Sequence, residues 1–136
     1  GAGADASADD GRTFRGYGNG DFVTFQFDTE KHPRGFDLTG VTTFAGHDDA
    51  RASQKFSVSI ALVGNPAAFR PLGQFGVQSG GGASRVRVRN PVGGTLESGA
   101  LKATGVAAIR FDFQNGPAGF NVYREIAVSG VPAGGK

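Results

Sequence analysis

The chain has 136 residues, among them 24 glycines and 12 phenylalanines, no Cys, Met or Trp, and a net charge of +2. That length suits one domain with a true core, built here from Phe, Val, Ile and Leu without disulfides. The small charge argues against a general nucleic-acid binder, and no run approaches the ~20 apolar residues of a membrane span. Without Cys there is no thiol nucleophile and no thiolate metal site, while the redox compartment stays open.

Glycine lies far above its usual ~7% and is scattered between alternating runs, as expected for the turns of an all-β domain. Residues 1–20 are mostly Gly, Ala, Asp and Arg and read as a partly flexible N-terminal extension. The opening Gly1-Ala2-Gly3-Ala4, with no initiator Met, reads as a processed or excised piece. The sandwich proper is predicted over residues 21–130. Its first strand is Asp21–Asp28, with Val23, Phe25 and Phe27 on one face. A turn at Lys31–Gly35 leads to a strand region Phe36–Ala45, expected to break at Gly40. His32 reads as a solvated turn residue.

A polar loop, Gly46–Ser53, precedes the clearest alternation in the chain, Lys55–Val63. There Phe56, Val58, Ile60 and Leu62 point in, while Lys55, Ser57, Ser59 and Ala61 point out. Ala68–Val77 is predicted as a strand that Pro71 confines to an edge. After the Gly-rich loop Gln78–Ala83, Ser84–Asn90 alternates Val86 and Val88 with Arg85, Arg87 and Arg89. A loop with a short strand at Thr95–Glu97 leads to the closing hairpin, Gly105–Gly130. In it Ile109, Phe111 and Phe113 face inward, as do Val122, Ile126 and Val128, and Tyr123 falls on the opposite face. Residues 131–136 form a tail. About eight short strands with frequent turns indicate an antiparallel β-sandwich of the jelly-roll kind.

No G-x-S-x-G or H-E-x-x-H pattern occurs, and the carboxylate pairs Asp9-Asp10 and Asp48-Asp49 are chain neighbours, which point apart in extended backbone. The chain therefore reads as non-catalytic. The run Ser79-Gly80-Gly81-Gly82 lacks the Lys of a phosphate loop and reads as a hairpin connection. The loop His47-Asp48-Asp49-Ala50-Arg51-Ala52-Ser53-Gln54 is rich in groups that form directional hydrogen bonds, which sugar hydroxyls require; it could equally bond its own backbone. The arginine row suits an anionic partner or serves to block edge pairing. Asp5, Asp9 and Asp10, with Glu125, offer hard oxygen ligands for Ca²⁺ or form a solvated acidic segment.

Four segments carry a family resemblance: Asp10-Gly11-Arg12-Thr13, Asp21–Asp28, Phe36-Asp37-Leu38-Thr39-Gly40-Val41, and Tyr123-Arg124-Glu125-Ile126-Ala127-Val128 followed by Gly130. Together they resemble the galactose-binding-like superfamily, the discoidin-type sandwiches that include many carbohydrate-binding modules of secreted bacterial proteins. The resemblance spans roughly residues 9–130. It implies an eight-stranded sandwich with ligand loops at one end, secretion to the cell surface or beyond, and a structural Ca²⁺ held at Asp10, Thr13 and Glu125. Carbohydrate-binding members commonly stack a Trp or Tyr on the sugar; here only Tyr17 and Tyr123, or a Phe, can do so.

The expected role is recognition of a polysaccharide or cell-surface glycan. His47 and Arg51 would donate and Asp49 would accept. Asp48, Gln54 and the turn residues Asn115 and Asn121 would add contacts, and Tyr123 would supply the aromatic face. The alternative is a self-assembling subunit of an extracellular filament or surface layer, whose Gly/Ala-rich N-terminus contacts a neighbour.

Overall fold

The computed structural model of the chain describes residues 6–7 and 15–134. Eleven strands follow one another: β1 (Ala6–Ser7), β2 (Arg15–Tyr17), β3 (Phe22–Gln26), β4 (Phe36–His47), β5 (Gln54–Leu62), β6 (Arg70–Val77), β7 (Gly82–Arg89), β8 (Glu97–Ser98), β9 (Leu101–Lys102), β10 (Val106–Phe113) and β11 (Asn121–Pro132). A single 3-10 turn at Ala50–Ala52 separates β4 from β5. Among the described residues no helix is long and apolar enough to cross a membrane.

All pairings are antiparallel. In one layer β11 lies between β2 and β4, and β7 flanks β4 on its other side; β1 continues along the β2 edge of β11. In the other layer the order is β3–β10–β5–β6. Among the described residues the layers are joined in the ladder only where Val106 meets Phe36. A separate two-stranded ribbon, β8–β9, sits in the connection to β10. The inward faces of both layers meet in one core, so the chain is an all-β sandwich, as its alternating runs predict.

Phe56 is the hub of that core. It is fully buried, and its ring lies 5.9 Å from Phe111, 6.0 Å from Phe75, 6.3 Å from Tyr123 and 6.5 Å from Phe113. The rings come from four strands and both layers. Their tilted and edge-on geometries suit the quadrupoles of aromatic side chains. Val58 and Ile60 continue the buried face of β5.

The long strands are not simple two-residue repeats. Between Leu38 and Gly40 the register against β11 shifts, leaving Thr39 as an extra residue. The inward face therefore passes from Phe36 and Leu38 to Val41, Thr43 and Ala45. The expected break at Gly40 is thus a bulge inside one continuous strand. A second shift, between Val106 and Ala108, does the same in β10 before Ile109, Phe111 and Phe113. Leu72 is the extra residue of β6, which is an edge strand as Pro71 requires.

Other departures concern the ends. Arg15–Tyr17 is a strand rather than extension, and the Tyr17 ring stacks on Phe113 at 4.3 Å, so the sandwich begins before residue 21. It also runs past residue 130, because Val131 and Pro132 still pair with Asp37 and Phe36. His32 is half-buried with its ring 4.9 Å from Phe36. The turn before β4 needs Gly35, which has φ +73° and leaves only 2.5 Å between an added Cβ and the Val106 carbonyl. Ala61, expected outside, is fully buried, opposite Ala108.

Truncating the hub removes ring contacts in both layers at once. Phe56→Ala is expected to lower unfolding stability by about 3–5 kcal/mol in chemical denaturation. A loss below about 1 kcal/mol would show that the rings do not bridge the layers as described.

Candidate functional site

The loop between β4 and β5 is built on Asp49. Its carboxylate caps the 3-10 turn, accepting the Arg51 backbone N–H at 2.9 Å and the Arg51 guanidinium at 3.1 Å. The backbone N–H of Arg51, its guanidinium and the neighbouring His47 hold the Asp49 carboxyl below its ordinary range, with partial desolvation pulling the other way. His47 Nδ1 lies 2.9 Å from Asp48 and 3.1 Å from Asp49 without forming an aligned hydrogen bond. Asp48 is exposed.

The guanidinium of Arg51 reaches across to the β10–β11 turn and sits 5.3 Å from the centre of the Phe120 ring. That ring is 47% exposed. It lies over Gly16 of β2, where an added Cβ would come within 2.6 Å of it. The sandwich therefore brings together, at one end, the loop at His47 and the turn at Asn115–Asn121, both marked by their polarity. Phe120 supplies the exposed aromatic, a residue that loop polarity does not single out. The one signal for it is a lone large apolar side chain in the turn Gly116-Pro117-Ala118-Gly119-Phe120.

Both loops are fastened. Ser53 Oγ donates to the Ser79 carbonyl and accepts the Ser79 N–H. Asn115 and Asn19 exchange backbone N–H to side-chain bonds at 2.8 and 2.9 Å, and Gly116 pairs with Gly119. Asn115 is exposed, but its side-chain oxygen is engaged by Asn19.

Three residues expected to contact ligand belong to the frame instead. Gln54 is buried; its amide donates to the carbonyls of Thr43 and Ser84 and to Ser84 Oγ, and its oxygen accepts from the Thr43 hydroxyl. Asn121 is fully buried and donates to the Gln114 carbonyl. Tyr123 is 2% exposed. The reason is a register shift between Tyr123 and Glu125, which makes Arg124 the extra residue and turns Tyr123 inward opposite Ala45. Its hydroxyl accepts the Lys55 N–H at 3.0 Å across the core. Burial pushes the phenol up to about 12, only partly offset by the bond from Lys55 and by Asn121.

Of the residues assigned to Ca²⁺ by resemblance, Asp10 and Thr13 lie outside the described residues. Glu125 is half-buried on the outer face of β11, opposite Phe44. His47, Asp48 and Asp49 also bring three ligand atoms within 4.8 Å of one another. Ca²⁺ takes about six to eight oxygens, and here an imidazole nitrogen and a carboxylate already bonded to Arg51 fill the cluster, so it fits that ion poorly.

No family model matches the chain, and comparison with curated proteins finds no match. What the fold and the loop end define is an all-β sandwich with an aromatic and ionic rim.

Two outcomes follow from the frame residues. Gln54→Leu leaves buried polar groups of Thr43 and Ser84 without their partner, and is expected to cost about 2–4 kcal/mol, whereas Asp48→Ala should stay within about 0.5 kcal/mol in the same denaturation series. For Tyr123 the folded-state pKa is raised, so its contribution is intact below the unfolded value of about 10 and is lost as pH climbs toward 12. Wild-type stability should therefore fall by up to about 2–3 kcal/mol more than that of Tyr123→Phe over this window, although the variant is about 1 kcal/mol weaker at neutral pH. Urea midpoints measured across pH check this; parallel curves for the two proteins would contradict it.

Proposed function

We propose that the chain is a non-catalytic binding domain of the galactose-binding-like type, acting outside the cell on a polysaccharide or surface glycan through its loop end. The observation that carries this reading is the Arg51 guanidinium poised 5.3 Å from the half-exposed Phe120 ring, with Asp49, Asp48 and His47 alongside. A sugar presents an apolar ring face and a fringe of hydroxyls. An exposed aromatic suits the first, and a fixed fan of donors and acceptors suits the second. Both loops are tied to the sheets, so little ordering entropy is lost on binding. Phe120 takes the stacking role first expected of Tyr123.

The strand orders β2–β11–β4–β7 and β3–β10–β5–β6 support a jelly-roll topology and, with it, the resemblance. The structural Ca²⁺ remains part of this reading through Asp10, Thr13 and Glu125. A melting temperature that chelator leaves unchanged would remove it.

The test is a glycan array followed by titration of the polysaccharide it selects. Arg51→Ala and Phe120→Ala should each weaken binding by about tenfold or more, because an aromatic or charged anchor carries roughly 1–2 kcal/mol, and both should keep the wild-type melting curve. A monomeric wild type that retains no glycan sinks the reading. Large oligomers that bind no glycan would favour the self-assembling alternative.

A further inference from the structure

The outer face of the β11–β4–β7 layer carries a charge pattern that the loop end does not use. Among the described residues β7 is an edge strand, paired only with β4 in an unbroken register from Gly40–Arg89 to His47–Gly82. Its inward side chains, Val86 and Val88, are half-buried, and Arg85, Arg87 and Arg89 are exposed on the other face. Two residues of antiparallel strand advance about 6.8 Å, so three guanidiniums form a track of that repeat. Their partners across the ladder are Phe44, Thr42 and Gly40, none of them acidic. One strand further, Arg124 lies over Gly46, where an added Cβ would come within 2.8 Å of its Cδ. The outward residues of β11 alongside are Ser129, Ala127 and Glu125. Glu125 is the one acid directly alongside these residues, and it is half-buried on the side of β4 away from β7; past the end of the track, Asp37 is engaged by the Gly105 N–H, and Glu97, which lines a cavity with Arg89, accepts from Asn90.

The chain does pair its arginines where an acid is in reach: Arg51 with Asp49, and Arg110 with Asp112. Among the described residues, none of Arg85, Arg87 and Arg89 has such a partner. Like charges in a row repel one another, so the pattern is kept at a cost unless something answers it. Edge protection alone would be served by a single charge, most often Lys, and another edge, β6, manages with Pro71 and a bulge. All four cations here are Arg, whose planar fork matches carboxylate and sulfate oxygens two at a time.

We infer that this face is a docking surface for a linear acidic polysaccharide, uronate or sulfated, laid along β7 and held by Arg85, Arg87 and Arg89. Two features favour a polysaccharide over single-stranded nucleic acid. Among the described residues the one aromatic alongside the track is Phe44, half-buried and opposite Arg85, too little for successive bases to stack on, and the chain as a whole is only +2. The surface is distinct from the loop end, and its failure would leave the Arg51–Phe120 site untouched.

The probes are heparin and polygalacturonate, with dextran as the neutral control and an oligo-dT strand and phosphatidylserine vesicles as competing polyanions. Wild type is expected to bind heparin or polygalacturonate at low salt, and dextran far more weakly at this face. Replacing all three arginines by Gln should weaken binding by about tenfold or more and flatten the plot of log affinity against log salt by about two to three. The triple Lys variant keeps the charge but not the fork, and should fall between the two. The Lys variant should melt as wild type does and the Gln variant no lower, because the mutual repulsion of the row is relieved, and the Gln variant should bind an array-selected neutral oligosaccharide as wild type does. No binding by wild type to either acidic polysaccharide, or equal affinity and salt slope in the Gln variant, overturns the inference. Tighter binding to the DNA strand or to the vesicles overturns it too, and would reassign the face to that partner. If the Gln variant unfolds, the Lys variant decides: wild-type affinity there contradicts bidentate recognition.

Discussion

One extra residue in the last strand sets much of the rest. Because the register shifts between Tyr123 and Glu125, Tyr123 turns into the core while Ile126 and Val128 remain there too. A strict two-residue repeat could not put 123, 126 and 128 on one face. The inward phenol then spans the sandwich, accepts the Lys55 N–H from the opposite layer, and stands 4.9 Å from Phe113 and 6.3 Å from Phe56. The same shift sends Arg124 outward, where only a glycine at position 46 leaves room for it. Packing between the layers and charge on the outer face are thus two sides of one backbone irregularity.

The loop end inherits its rigidity from that arrangement. β5 begins at Gln54, whose amide ties it to β4 and β7, one residue before the amide that Tyr123 receives. The 3-10 turn before it is held by Asp49 from within and by the Ser53–Ser79 bonds from the side. Phe120 immediately precedes Asn121, which is fully buried. The accessible groups at this end, His47, Asp48, Arg51 and Phe120, are therefore each within a few residues of a buried anchor. A binding surface of this kind needs little reorganisation, and its polar groups are already aimed.

Much of this is legible in the residues. The alternation of Phe56, Val58 and Ile60, of Val86 and Val88, and of Ile109, Phe111 and Phe113 marks the core faces, because half-buried strands leave that imprint. The loop at His47 and the turn at Asn115 are visible from composition, and the sandwich brings both to one end. What escapes are departures from the period. Alternation carried through Arg124 puts Tyr123 outside, and Gly40 reads as a break where Thr39 is a bulge. Gln54 and Asn121 resemble ligand contacts, since a polar residue beside a loop carries no mark of whether its partners are sugars or backbone. Tyr17 falls within an apparent extension because three residues are too few for a period; only its stacking on Phe113 shows it as core. Phe120 escapes for the complementary reason, an apolar residue in a turn being expected to pack.

Everything proposed for the loop end requires that ligand meet the chain there, through Arg51 and Phe120. Backbone amide shifts of isotope-labelled protein, followed while an array-selected neutral oligosaccharide is added, test this residue by residue. Saturable shifts confined to residues 47–53 and 115–120 are predicted, with Lys55 and the β10 core amides unmoved. Shifts centred on a sheet face or on the ribbon at Glu97–Lys102, or none at saturating sugar, would contradict it.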